Sequence, residues 1–339
     1  MTTIVSLSDP RDGNSPLAGR TTARPTRRPA GRQQWRRRGT VLLFLSPWII
    51  GFCTFILYPM VSSLYFSFTK YDLLGEPTWV GLGNYRFMFT SDTIFWIAAR
   101  NTLWVVIIMV PAQVLFGMAA AWVLTRPHRG AGVYRTIFYL PAMVPTVAAA
   151  LGFLFVLSSN GPVNHVLELA GVPKGSLPLW FASPTLSKPS LLLLSMWAIG
   201  NTMVIFLAAM LDVPAQLYEA AEIEGAGAWA KFRHITLPTI SPVIFFSLVI
   251  GVIYGFQYFT EAYVVSTAGG ASEQAGQSLG APDNSLMFYG SWLYRQGFGY
   301  FHMGYASAMA WVLFIVIMLC TFVLLKTSSR WVHYGGALR

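Results

Sequence analysis

The chain has 339 residues, of which 55% are hydrophobic and only 11% charged, with a formal net charge of +10. A soluble domain carries about 25% charged residues, so a chain of this composition cannot cover a water-facing surface. Nine of its 23 basic residues are arginines lying between Arg11 and Arg38; charge packed beside an apolar run marks a membrane flank and argues against a nucleic-acid partner. Cys53 and Cys320 both fall within apolar runs, and no disulfide framework or metal-ligand spacing is present.

Residues 1–34 are rich in Arg, Pro, Gly, Ser and Thr and nearly devoid of large apolar residues. Such a segment cannot bury a core, which predicts a disordered basic tail over 1–39. It does not read as a signal peptide, because its charged region and the apolar run behind it are both too long. Arg36, Arg37 and Arg38 abut that run and suit anionic lipid at a membrane surface.

Beyond the tail, apolar residues bunch into runs of about 20 or more, the length that crosses a bilayer at 1.5 Å per residue. Backbone groups in hydrocarbon must be satisfied within their own segment, so the runs are helices. The prediction is an all-α polytopic membrane protein with six transmembrane helices, near 41–65, 102–124, 137–157, 191–211, 243–265 and 305–325. The transmembrane domain is then 40–330, with a short terminal tail over 331–339. Pro47, Pro59, Pro111, Pro141 and Pro145 lie in these runs and predict kinks, either for an internal path or simply for packing.

Orientation follows from Lys and Arg. With both termini inside, the inner segments hold 17 basic residues and the outer ones 6; without the tail the margin is 8 against 6. The expectation is N-in/C-in, with the loop over 212–238 on the cytoplasmic side. The outer segments include WVGLGNY at 79–85, an interfacial apolar stretch at 94–99, and NGPVNHVLELAG at 160–171, a short amphipathic helix followed by Trp180. After the fifth run comes GGASEQAGQSLGAPDN at 269–284, a flexible loop by composition, and then an aromatic stretch at 288–301. Trp and Tyr there suit headgroup-level anchoring.

The most distinctive stretch is EAAEIEGAGAWAKFRHITLP at 219–238. Pro214 can open a helix, Gly225 and Gly227 interrupt it, and residues 229–234 resume it up to Pro238. The pattern predicts helix, glycine turn, helix at the membrane surface. Composition alone favours an ordinary interfacial loop, with Lys231, Arg233 and His234 as membrane-surface charges.

The order of residues is more specific. Glu219-Ala220-Ala221, then Gly225 and Ala226, then Ile235-x-Leu237-Pro238 resembles the EAA loop of permease subunits of binding-protein-dependent ABC importers, the sugar-importing maltose and glycerol-3-phosphate type above all. GLGNY at 81–85, NTL at 101–103, FYLPAMVP at 138–145, NGPVN at 160–164 and GYASAMAWVLF at 304–314 carry the same resemblance, which covers roughly residues 40–330. Two features depart from the family pattern. Glu224 stands where Asp is common, and Gly269-Gly270-Ala271 replaces Gly-Gly-Pro.

The resemblance implies a type I ABC importer permease architecture in a bacterial inner membrane. It implies a role translocating a carbohydrate, with a polyol or glycerophosphodiester as alternative solute. A membrane-embedded sensor or enzyme is the competing class, but the spans offer no convergent catalytic set. The implied partners are a second and different permease chain, two cytoplasmic ATPase subunits and an extracytoplasmic binding protein. The chain itself holds no GxxxxGK[ST] and needs no cofactor; ATP would be used by the ATPase partners. The resemblance makes Glu219, Ala220, Ala221, Gly225, Ala226, Ile235, Leu237 and Pro238 the ATPase-coupling residues, and points to the later spans for the solute path. Polar and aromatic groups at membrane depth there are Asn201, Thr202, Tyr254, Gln257, Tyr258 and Glu261, with Gln257 and Glu261 expected on one face at four-residue spacing, as are Tyr254 and Tyr258. Each could instead pack between helices.

Overall fold

The computed structural model describes residues 30–126, 129–268 and 279–332, with side chains from Thr40 onward. The sequence expectations for residues 1–29, for Gly269-Gly270-Ala271 and for Arg339 lie outside the described residues. The chain divides into two compact units, up to Pro59 and from Met60 onward. Helix begins at Ala30, inside the stretch whose composition predicts a disordered tail.

Among the described residues, three helices are long and apolar enough to cross a membrane: α1, Thr40–Ser67; α3, Thr93–Leu124; and α14, Met303–Ser328. Phe44, Trp48 and Phe55 of α1 are exposed, as suits a helix bathed in hydrocarbon. Between α1 and α3 lie a two-stranded ribbon, β1 Thr69–Lys70 with β2 Thr78–Trp79, and a short helix α2, Gly83–Thr90. The helix α3 takes in the apolar stretch at 94–99, so the helix begins earlier than the predicted second span and that stretch is continuous with it.

Three further apolar stretches among the described residues reach that length only as bent pairs of helices. These are α4 Ala131–Met143 with α5 Thr146–Val156 at 98°, α7 Ser187–Trp197 with α8 Gly200–Leu211 at 49°, and α10 Ala228–Thr239 with α11 Ser241–Phe256 at 65°. The predicted continuous runs at 137–157 and 191–211 are corrected accordingly. The sharpest break has a local cause. A residue before proline is pushed out of the helical region, and Val144, which precedes Pro145, is extended at φ −74°, ψ 129°. The predicted run at 243–265 is also interrupted: α11 ends at Phe256, and α12, Thr260–Ala268, begins after a break at 257–259. The other helices are α6 Pro162–Leu169, α9 Ala215–Ile223 and α13 Tyr289–Tyr294. The short helix predicted after Asn160 is α6.

Three further prolines follow a stretch where the helix widens. Pro59, Pro111 and Pro238 each follow, after one intervening residue, a five-residue π turn: Cys53–Leu57, Val105–Met109 and Phe232–Thr236. Proline lacks an N–H and its ring crowds the carbonyl four residues back; in all three cases that carbonyl belongs to the widened turn.

The core switches partners along α3. Val114, Ala121 and Leu124 pack in one cluster with Met203, Phe206 and Met210 of α8 and with Phe232. Val105 and Met109 pack in another with Ala149, Leu157, Phe181, Val265 and Phe288. The two clusters mark two ends of the bundle, the first beside the 215–239 segment.

Gly304 opens α14 where backbone comes closest to backbone. Its N–H donates to the Tyr71 carbonyl at 3.1 Å, and a Cβ there would stand 2.0 Å from the Thr69 carbonyl oxygen. Gly304→Ala is therefore expected to destabilise the chain by about 2 kcal/mol through overpacking. Gly132→Ala meets nothing within 4 Å and serves as the control. Thermal unfolding in detergent checks both; equal melting temperatures would contradict the close approach.

Candidate functional site

The segment 215–239 is a helical hairpin. Helix α9 ends with Glu224 at its cap, and Gly225 turns the chain at φ +78°, a left-handed conformation that favours glycine. The Gly225 N–H donates to the Glu222 carbonyl at 3.0 Å and the Ala226 N–H to the Ala221 carbonyl at 2.9 Å, the paired bonds of a Schellman motif. Two side-chain links brace the helices against each other: Lys231 Nζ to Glu222 Oε1 at 2.7 Å, and Tyr218 Oη with Thr236 Oγ1 at 2.8 Å. Lys231 is thus tied within the hairpin rather than being only a membrane-surface charge.

The motif residues divide between two faces. Ile235 and Leu237 turn inward and pack on the α3–α8 cluster, with Pro238 half-buried beside them. Ala221 and Ala226 are half-buried, whereas Glu219, Ala220 and Gly225 are exposed. Ile223 is exposed by 89%, which leaves an apolar knob beside the Glu219 carboxylate. An aromatic group seats the hairpin on the end of α3: Trp122 lies 4.9 Å from Phe232 and 6.3 Å from Trp229, and the Arg126 guanidinium sits 5.5 Å over the Trp122 ring.

The opposite end is held by buried polar side chains. Asn101, 1% exposed, donates to the carbonyls of Asn284 (2.8 Å) and Met287 (2.9 Å), while the Thr102 hydroxyl accepts from the Tyr289 N–H at 2.8 Å. Asp92, 7% exposed, caps α3 by accepting from the Phe95 N–H (2.9 Å) and also accepts from Trp292 Nε1 (2.7 Å) and Tyr305 Oη (2.5 Å).

Between these ends lies a cavity of 480 Å³, walled by α3, by the α4–α5 and α7–α8 bends, and by α11. Asn201 and Thr202 of α8, Tyr254 of α11, Tyr258 within the break and Glu261 just beyond it all line it. Gln257 does not; it is exposed in the turn after α11, so the expected shared face with Glu261 at helical spacing is broken. Tyr258 is buried, its ring 5.3 Å from that of Phe288, and its hydroxyl has no hydrogen-bond partner. The structure adds Gln113 to the lining, a single amide inside the apolar run VPAQVLFG. Asp92 and the Glu222–Lys231 pair are the other polar features that the sequence pattern did not single out. Among the described residues, no group of three His, Cys, Asp or Glu side chains could hold a metal.

The family model for the binding-protein-dependent transport system inner membrane component matches residues 113–334. The chain belongs to that family. As a member it is an inner membrane component with a transport role, and the matched residues take in the hairpin, both ends of the α8–α12 cavity wall, and α14. Among its relatives is the probable ABC transporter permease protein YesP of Bacillus subtilis (strain 168), 40% identical over 86% of this chain and 91% of YesP. The arabinooligosaccharides transport system permease protein AraP of the same organism is 30% identical over 93% of this chain and 98% of AraP. The fold is that of an ABC importer permease: a chain of a bacterial ABC transporter involved in the import of the acidic polysaccharide alginate superposes with a TM-score of 0.73, at 23% identity, covering 88% of this chain and 98% of that one.

Proposed function

We propose that this inner membrane component is the permease subunit of an ATP-driven importer for a carbohydrate, with six spans, counting each bent pair as one, and both termini in the cytoplasm. The observation that carries the reading is the division of the 215–239 hairpin into a braced, buried face and an outward face presenting Glu219, Ala220 and Ile223. A rigid projection of this kind suits a socket on a separate ATPase subunit. Glu219 would pair there with a basic residue, which confers register and specificity more reliably than net affinity. Gly225 shapes the turn, while Ile235, Leu237 and Pro238 fix the hairpin to the bundle.

The cavity supports a polar, ring-shaped solute. Tyr254 and Tyr258 offer aromatic surface, and Asn201, Thr202, Gln113 and Glu261 offer hydrogen-bonding groups to hydroxyls. The orphan Tyr258 hydroxyl is a donor in want of an acceptor, as expected of a wall that meets a ligand or water. The naming of AraP for arabinooligosaccharides points the same way. A second, different permease chain, two ATPase subunits and an extracytoplasmic binding protein complete the importer. ATP binding would draw the ATPase sockets together, carry the hairpins inward and rock the two permease halves. The cavity then opens to the docked binding protein, and hydrolysis resets it.

The test is uptake by the whole importer in liposomes, against a panel of sugars, polyols and glycerophosphodiesters. ATP- and binding-protein-dependent uptake of a carbohydrate is expected, reduced roughly tenfold by Asn201→Leu in the cavity wall. Uptake confined to non-sugars, or independent of ATP, would sink the reading.

A further inference from the structure

A second cavity, of 430 Å³, lies against the cluster that contains Leu157, Phe181 and Val265, which is the end of the bundle away from the hairpin. It shares two walls with the first. Helix α5 gives Ala149 to the first cavity and Leu154 and Phe155 to the second; helix α12 gives Glu261 to the first and Val265, Ser266 and Ala268 to the second. From Glu261 to Ala268 the path advances about 10 Å along the helix.

The second cavity has a built aromatic wall. Trp180 lines it, and the indole is held in place: Nε1 donates to Asn164 Oδ1 at 2.9 Å. Asn164, 1% exposed, is fixed in turn by donating to the Ser159 and Pro178 carbonyls, both at 3.1 Å. Opposite chemistry comes from Ser158, Ser159, Asn160 and Ser266, and no charged side chain lines the cavity. A fixed indole face among hydroxyl and amide groups suits the C–H face and hydroxyls of a sugar ring, as an aromatic body with polar neighbours does in general. The two chambers draw on the same two helices, α5 and α12, without a lining residue in common, and a solute of more than one ring could reach from one to the other.

The geometry points to this chamber as an outer saccharide subsite, in which Trp180 stacks on one ring of an oligosaccharide whose next rings occupy the first cavity. The inference rests on the carbohydrate reading above and adds to it the substrate class: a chain of sugar rings rather than a monosaccharide.

Uptake by the whole importer of a length series from mono- to tetrasaccharide, each with its binding protein saturated, tests it. Trp180→Ala is expected to lower uptake of the longer members about tenfold, equivalent to ~1.4 kcal/mol, and to leave the shortest transported member and the ATPase rate of the complex unchanged. Trp180→Phe should restore most of the loss. Ala182→Leu, an exposed site on the same cavity wall, should reproduce the length effect by filling the chamber and covers the case in which Trp180→Ala does not assemble. Uptake equally reduced at every length, or unchanged at every length, in the assembled variants overturns the subsite. Failure of the carbohydrate reading has a different signature, because no saccharide of any length would then be taken up by the unaltered importer.

Discussion

Replacing Glu219 by lysine is expected to abolish ATP-driven uptake while leaving the chain folded. Glu219 is exposed on α9, and among the described residues no hydrogen bond or ion pair engages its carboxylate. The contacts that hold the hairpin lie elsewhere, in the Glu222–Lys231 ion pair, the Tyr218–Thr236 hydrogen bond and the inward side chains of Phe232, Ile235 and Leu237. A charge reversal at 219 leaves these in place and sets a cation where the proposed socket supplies another. Like charges brought together at a partly desolvated contact cost several kcal/mol, so uptake should fall by about a hundredfold, or ~2.7 kcal/mol, with loss of ATPase co-purification. Gly225→Pro attacks the same function through geometry. Proline is locked near φ −65° and cannot adopt the +78° that turns α9 into α10. Full uptake and intact co-purification in both variants would remove the hairpin from the coupling path.

What the sequence made legible was what is local in it. The hairpin follows from Pro214, Gly225, Gly227 and Pro238, all within one stretch, and the structure draws helix, left-handed turn and helix at those positions. The apolar runs likewise mark the helices, because burial in hydrocarbon acts on each segment separately. The bends were less legible. Pro145 marks the 98° break, but Pro59 and Pro111 stand in helices that absorb them in a π turn, and nothing in the proline itself distinguishes the two outcomes. The interruption at 257–259 has no proline at all, so the four-residue spacing of Gln257 and Glu261 suggested a shared face that the chain does not keep. Within the cavity, Asn201, Thr202, Tyr254, Tyr258 and Glu261 could be found because polar groups stand out in apolar runs. Asp92 could not, since its partners lie 200 and 213 positions away and it sits outside every predicted span.

That distance is why Asp92→Ala should be among the most damaging single changes in the chain. The carboxylate joins three elements at one point: it caps α3, and it receives Trp292 of α13 and Tyr305 of α14. Removing it takes away the cap, worth about 1 kcal/mol. It also leaves a buried indole N–H and a phenol O–H without an acceptor, at roughly 1–3 kcal/mol for each group that finds no substitute. A loss of about 3–5 kcal/mol is expected, read as a lowered melting temperature in detergent and as faster proteolysis between α12 and α13. Asp92→Asn should fare little better. Its remaining oxygen can keep the cap, but its amide then meets the Trp292 N–H donor to donor, a conflict that no rotation of the indole removes; the Tyr305 hydroxyl alone can turn to accept. Tyr289→Phe is the informative control. It deletes a neighbouring buried hydrogen bond, from Tyr289 Oη to the Met309 carbonyl at 2.7 Å, but that carbonyl lies inside α14 and keeps its helical partner, so the cost should be nearer 1 kcal/mol. Equal melting temperatures for Asp92→Ala and Tyr289→Phe would mean that the carboxylate is not the tie between these helices.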